Sequence, residues 1–185
     1  MAQDKVAEKD IGATPIRIRE ATEADAPFIF SSWLKSMRGS NFGKEIISTI
    51  YYSEMHKVIE RLLKTCKVHV ACDEADINDI YGYACHENVD GIFVLHFIYV
   101  KHTYRNLGIG TMLLNSFNFN PEYASIYTQH TPLALRLAAK YRMTYSPFVA
   151  MTPDYRKPVD ISPPRPEKVR ELEANLEKEN PSARE

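Results

Sequence analysis

The sequence of 185 residues predicts a mixed α/β (α+β) domain: a mostly antiparallel central sheet of six to seven strands flanked by about four helices. Three observations predict it. Apolar residues recur with period 2 in some stretches and period 3.6 in others, in the order β-α-α-β-β-β-α-β-α-β. Asp90-Gly91 separates two alternating runs and is a strong hairpin signal, so the middle of the chain reads as an antiparallel meander. The apolar run Val94 to Val100 feeds a turn with two glycines, Arg105-Asn106-Leu107-Gly108-Ile109-Gly110, and then a helix-like stretch from Thr111 to Leu114. A strand that passes through a helix to the next strand needs a parallel neighbour.

The elements follow in order. Ile16-Arg17-Ile18-Arg19 alternates as a half-buried strand, and Thr22-Glu23-Ala24-Asp25 reads as a helix N-cap with an acidic partner. Ile29, Phe30, Trp33, Leu34 and Met37 make one apolar helix face. After a loop over Gly39 to Gly43, a second stripe (Met55, Val58, Ile59, Leu62, Leu63 and Cys66) marks another helix. Strands are expected over Lys67 to Asp73, Ile80 to Glu87 and Ile92 to Val100, the last two joined by Asn88 to Gly91. A helix from about Gly108 to Phe117 closes at Asn118 to Pro121, a strand runs from Tyr123 to Gln129, Pro132 starts a further helix, and Tyr145 to Met151 forms a last strand.

The composition, 44% hydrophobic and 11% aromatic, gives one domain a real core, and the length leaves no room for a second full one. A formal net charge of −1 and a pI near 6.6 give no general electrostatic reason to bind nucleic acid or an anionic membrane, so neither partner is expected. Cys66, Cys72 and Cys85 are odd in number and lack Cys-x-x-Cys spacing, so they read as reduced core thiols. His56, His69 and His86 lack metal spacing, and no metal is expected. The polar start of the chain and the absence of any apolar run near the roughly 20 residues of a membrane span lead to an expectation of a cytoplasmic protein. Residues 153–185 hold six prolines and a charged segment, and are expected as a loosely attached helix or a disordered tail.

The glycine turn is the strongest functional signal. A strand, a short turn and a helix start leave several backbone N–H groups pointing one way, with the positive end of the helix dipole behind them. Gly108 and Gly110 are expected to accept φ > 0 and to let the backbone approach an anion closely. The turn lacks the Gly-Lys-Ser/Thr of a Walker A loop. It also lacks the third glycine and later acidic residue of a dinucleotide fingerprint, because the position 20 beyond Gly110 is His130.

The stretch from Tyr99 to Leu114 resembles the Arg/Gln-x-x-Gly-x-Gly/Ala loop of the GNAT N-acetyltransferase superfamily. The resemblance implies a GNAT-like sheet with splayed strands four and five, and residues 15–152 as an acetyltransferase domain between a flexible N-terminus (1–14) and the tail. It implies acetyl-CoA as cosubstrate. The pyrophosphate would lie on Arg105, Asn106, Leu107, Gly108, Ile109, Gly110 and Thr111, and the pantetheine arm would pair with the backbone of Ile98, Tyr99 and Val100. The implied reaction is direct transfer of an acetyl group to an amine, on a small molecule or on a protein or peptide.

Many members carry a glutamate nine or ten residues before the loop's Arg/Gln. Nine before Arg105 is His96, whose imidazole suits a base near neutral pH, with a strand histidine satisfied by packing as the alternative. The family tyrosine near the CoA sulfur aligns with Ala138, and Arg142-Met143 replaces Gly-Phe, so Tyr141, three residues on, is the candidate acid. Tyr127 and His130 are further candidates. An acceptor would enter near Arg38, Asn41, Tyr51, Tyr52 and His56. Dimers are common in the family, so a homodimer is an expectation. The alternative function is a catalytically weak or inactive module that binds CoA or a protein partner.

Overall fold

Alternating Val, Ile and aromatic residues build a six-stranded sheet, described here from a computed structural model. The structure describes residues 15–151, which fall within one unit, Met1–Pro153. The expected flexible N-terminus and the Pro-containing tail lie outside the described residues.

The strands are β1 (Ile16–Glu20), β2 (Lys67–Asp73), β3 (Ile80–Val89), β4 (Ile92–Val100), β5 (Ser125–Tyr127) and β6 (Thr144–Tyr145), side by side in chain order. The first three pairs are antiparallel, and β4–β5 and β5–β6 are parallel. The β3–β4 hairpin closes over two residues, Asp90 (φ 50°) and Gly91 (φ 82°), both left-handed as a type I′ turn demands.

Helix α1 (Ala26–Arg38) and helix α3 (Ser48–Thr65) cover one face. Ile29, Trp33, Met55 and Ile59 bury there against Val70, Tyr83 and Phe97. Helices α4 (Ile109–Asn115) and α5 (Pro132–Tyr141) cover the other, packing Ile109, Leu113 and Leu137 on Leu95, Ile98 and Val100. No described helix is long and apolar enough to cross a membrane.

A bulge in β4 decides how those faces are assigned. Cys85 stands opposite Phe97 and His86 opposite Leu95, so β4 carries His96 as an extra residue. Leu95 and Ile98, three apart, therefore bury in the α4/α5 cluster, while Phe97 between them stacks on Trp33 at 4.4 Å.

Three sequence expectations change. The connection around Gly39 to Gly43 holds a short helix, α2 (Asn41–Glu45), capped by the Ser40 side chain on the Gly43 N–H, and α3 already starts at Ser48. A Cβ on Gly43 would lie 2.2 Å from the Met37 carbonyl oxygen, so this approach of α2 to α1 requires glycine. The expected strand Tyr123 to Gln129 is ordered as a strand only over Ser125–Tyr127. The expected last strand, Tyr145 to Met151, is a two-residue β6 followed by α6 (Phe148–Met151), because Pro147 has no N–H for a ladder and its carbonyl instead accepts from Ala150 at 3.1 Å.

Arg19 on β1 forks onto Asp25 at 2.7 and 2.8 Å, and the same carboxylate accepts from the Thr22 N–H and hydroxyl. The Arg19 guanidinium chiefly, against the opposing cost of burial, holds the Asp25 carboxyl down at about 2 from 3.8. The lowered folded value means stabilisation that is fully present above about pH 4 and is lost as pH falls towards 2. Asp25→Ala is expected to cost about 2 kcal/mol at pH 7, with the gap to wild type closing by pH 2 in urea titrations. Arg142 closes α5 in the left-handed region (φ 54°, ψ 38°). Because a side chain is strained there, Arg142→Gly is expected to raise stability by about 1 kcal/mol, read as a higher melting temperature.

Candidate active site

The turn between β4 and α4 builds the first part of the site. Asn106 (φ 69°) and Gly108 (φ 78°) both take left-handed conformations, which reverse the chain and open α4 at Ile109. Among the described residues, the N–H groups of Asn106 through Gly110 have no backbone partner, whereas Thr111 and Met112 bond back to the Gly108 carbonyl at 2.9 and 3.0 Å. A cavity of about 220 Å³ lies over them, lined by Val100, Asn106, Gly108, Gly110, Thr111 and two cations, Arg105 and Arg136. Arg105 Nε donates to the Val100 carbonyl at 3.4 Å, bracing the turn to the strand end. Leu107 is exposed and Ile109 buried, so in this turn they contribute backbone rather than side chains.

The two glycines do different things, which corrects the expectation that both need φ > 0. Gly108 supplies the left-handed backbone, and a Cβ there would meet nothing within 4 Å. Gly110 sits in α4 with ordinary helical geometry, and a Cβ there would touch the Leu133, Leu137 and Ile98 side chains at 3.6 to 3.8 Å, at the α4/α5 contact.

The sheet opens beside this turn. Strand β5 pairs with Phe93, Val94 and Leu95 only, and the Thr128 N–H makes the last bond, 3.0 Å to the Leu95 carbonyl. Beyond the bulge, Ile98, Tyr99 and Val100 pair with β3 on one side and have no β5 partner on the other. Ile98 and Val100 bury their side chains, and Tyr99 packs with Phe28 and Tyr83.

A second cavity, of about 490 Å³, lies against the end of α1, the start of α2 and the segment after β5, and Arg105 lines this one too. Its lining includes Lys35, Asn41, Met55, Thr128, Gln129 and His130. The segment Thr128 to Thr131 is held from both sides: Trp33 Nε1 donates to Gln129 Oε1 at 2.7 Å, and the Tyr127 hydroxyl meets His130 Nε2 at 3.0 Å. The exposed His130 also packs on Tyr145, ring centroids 3.8 Å apart.

His96 is fully buried, its Nε2 2.9 Å from Glu87 Oε1 and its Nδ1 3.3 Å from Thr128 Oγ1. Thr128, its neighbour at Nδ1, lines the large cavity, and His96 itself does not. Cys66, Glu87 and His96 bring potential metal-ligand atoms within 4.8 Å of one another. Tyr141 lies under α4, edge-on to Phe119 at 5.2 Å, and lines neither described cavity. Burial pushes its phenol up, but hydrogen bonding with Lys140 and Thr111 outweighs this and leaves it below its ordinary value. Ala138 is buried in the core.

Of the expected acceptor residues, Asn41 lines the large cavity. Arg38 instead ties the helices together through the Gly43 and Ile46 carbonyls and the Ser48 hydroxyl, the Tyr51 hydroxyl donates to the Leu34 carbonyl at 2.7 Å, and His56 packs on Phe30. Sequence reasoning missed Glu87, Thr128, Gln129 and Arg136. The one available signal was the polar run Thr128-Gln129-His130-Thr131 before Pro132, too short to show a periodicity.

This geometry can be set beside known proteins. Residues 34–117, from α1 to the end of α4, match the family model described as the acetyltransferase (GNAT) family. The fold is that of the GNAT acetyltransferases. A Pyrococcus furiosus protein assigned as an acetyl transferase is similar at 21% identity, with 68% of this chain and 91% of that one covered and a TM-score of 0.51. A Corynebacterium glutamicum protein described as histone acetyltransferase HPA2 and related acetyltransferase gives 16% identity, 68% and 82% coverage and a TM-score of 0.51. A GNAT protein from Desulfovibrio desulfuricans aligns at 17% identity over 56% of this chain, with a TM-score of 0.38. The chain spans 64% of that protein's length, under two thirds. No curated protein matches the sequence.

Within this GNAT fold, Gly108 is the residue whose left-handed backbone shapes the turn between β4 and α4. Gly108→Val is expected to destabilise the protein by about 1–2 kcal/mol, because a β-branched residue strains in the left-handed region. Denaturant titration of the variant measures this.

Proposed function

We propose that the protein is an acetyl-CoA-dependent N-acetyltransferase that moves an acetyl group directly to an amine within a ternary complex. The observation that carries this reading is the join of the left-handed Asn106–Gly108 turn, with its unpaired N–H groups and flanking Arg105 and Arg136, to a β4 edge left open beyond Leu95. A diphosphate suits the first because backbone donors and guanidinium forks both bind its oxygens. An extended amide-bearing arm suits the second, because it can complete a strand edge by backbone hydrogen bonds.

Acetyl-CoA supplies the activated thioester when bound. The chain's own residues bind and orient: Arg105 reaches both cavities, so a ligand on the turn would present its acyl end towards the larger one. An amine there needs to lose a proton, and His96 is the proposed acceptor of it; Tyr141, which lines neither described cavity, is not placed to protonate the leaving thiolate. The GNAT fold with an unexposed Ala138 also supports a second reading, a CoA-binding module with little turnover.

Calorimetric titration with acetyl-CoA, against ATP as control, tests the reading. Selective micromolar binding is expected, with Arg105→Ala and Arg136→Ala each weakening it about tenfold or more, in keeping with the loss of one charged hydrogen bond. Equal affinity for ATP, or no binding, would sink it.

A further inference from the structure

Resting on the transferase reading above, we propose that Glu87, His96 and Thr128 form a buried proton relay that opens on the acceptor cavity through the Thr128 hydroxyl. Glu87 and Thr128 act as positioning residues for His96.

Three elements meet at the ring. Glu87 comes from β3, His96 is the extra residue of the β4 bulge, and Thr128 is the first residue beyond β5. All three are buried, at 7%, 0% and 2% exposure. A carboxylate accepts only, so the 2.9 Å contact between Glu87 Oε1 and His96 Nε2 is a bond donated by the ring. With the proton assigned to Nε2, Nδ1 presents its lone pair to the Thr128 hydroxyl 3.3 Å away. The hydroxyl has a second acceptor, the His96 carbonyl at 3.2 Å, and rotation between the two switches the relay in and out of line. Thr128 in turn lines the cavity that Arg105 shares with the phosphate-facing turn. Cys66 is a further titratable side chain beside the ring, its sulfur within 4.8 Å of a Glu87 oxygen and of a His96 nitrogen, and Cys85 lies buried across the register from Phe97.

The proton balance is closed. A neutral amine attacks the acetyl carbon, the C–N bond forms and the C–S bond breaks. The nitrogen proton passes to Thr128 Oγ as the hydroxyl proton passes to His96 Nδ1. Glu87 stabilises the imidazolium through Nε2–H, and the coenzyme leaves as thiolate. The proton then returns from His96 through Thr128 to the thiolate, so one residue serves as base and afterwards as acid. A chain with alanine at position 138 therefore retains a route for protonating the leaving group.

The test measures CoA release from acetyl-CoA with a panel of amines (methylamine, free amino acids, spermidine, lysine-containing peptides), using the best acceptor for wild type, Thr128→Val, Thr128→Ser and Glu87→Gln. Valine keeps the shape of threonine and removes the hydroxyl, and serine restores it. Expected are a fall in kcat on the order of 100-fold for Thr128→Val and Glu87→Gln, near wild-type kcat for Thr128→Ser, and unchanged acetyl-CoA affinity in all three. If wild type turns over and Thr128→Val with Glu87→Gln match it, the relay is wrong while the transferase reading stands. A Thr128→Ser loss as deep as that of Thr128→Val would also overturn it, since packing rather than the hydroxyl would then matter. Wild type that binds no acetyl-CoA, or releases no CoA with any amine, removes the transferase reading and the relay with it.

Discussion

One extra residue in β4 organises this molecule. Without the bulge at His96, β4 would keep a regular pleat, Leu95 and Ile98 would face opposite sides, and β5 could continue its ladder past Leu95. With it, the pairing of β4 with β5 stops at Leu95, and the backbone from Ile98 to Val100 has no β5 partner. Backbone groups inside a sheet are normally paired, so an open edge in the interior of a six-stranded sheet is a cost that a bound partner can offset. The same kink turns the His96 ring towards Glu87 and Thr128, so the opening and the buried polar cluster share one cause.

Polar groups this deep have to be satisfied, and the neighbourhood shows how. Trp33 stacks on Phe97 and donates to Gln129, which pins the chain after β5 to the α1 face. That chain carries Thr128 to His96 and His130 to the cavity rim. A rigid aromatic platform thus positions a segment with no regular structure of its own, which is the arrangement expected where loops carry chemistry on a stable scaffold. The Arg19–Asp25 fork does the same at the other end of α1, tying the helix start to the edge strand.

The turn between β4 and α4 is built by backbone shape first, with side-chain charge added second. Gly108 and Asn106 set the path, the N–H groups follow from it, and Arg105 and Arg136 add positive charge from the strand end and from α5. Gly110 contributes something different, the close approach of α4 to α5. Two glycines with the same appearance in the sequence therefore serve unrelated ends, one conformational and one of packing.

Local patterns were legible without coordinates: the type I′ Asp90-Gly91 turn, the α1 and α3 stripes, Thr22 and Asp25 as a cap, and the glycine turn after β4. Each depends on neighbours a few residues apart, where period and turn chemistry decide the conformation. Tyr145 to Met151 misled because its apolar content suits a strand, and Pro147 with the contact of Ala150 to the α1/α3 core tips it to a helix. Tertiary structure alone decided the rest. The bulge is a mismatch between two strands and leaves no mark on either one. Glu87, His96 and Thr128 are 9 and 32 residues apart along the chain and meet only because β3, β4 and β5 lie side by side. Sequence by itself determined the order of elements and the position of the glycine turn between β4 and α4. The fold decided which buried polar side chains meet, because that depends on register and burial, which no single segment carries.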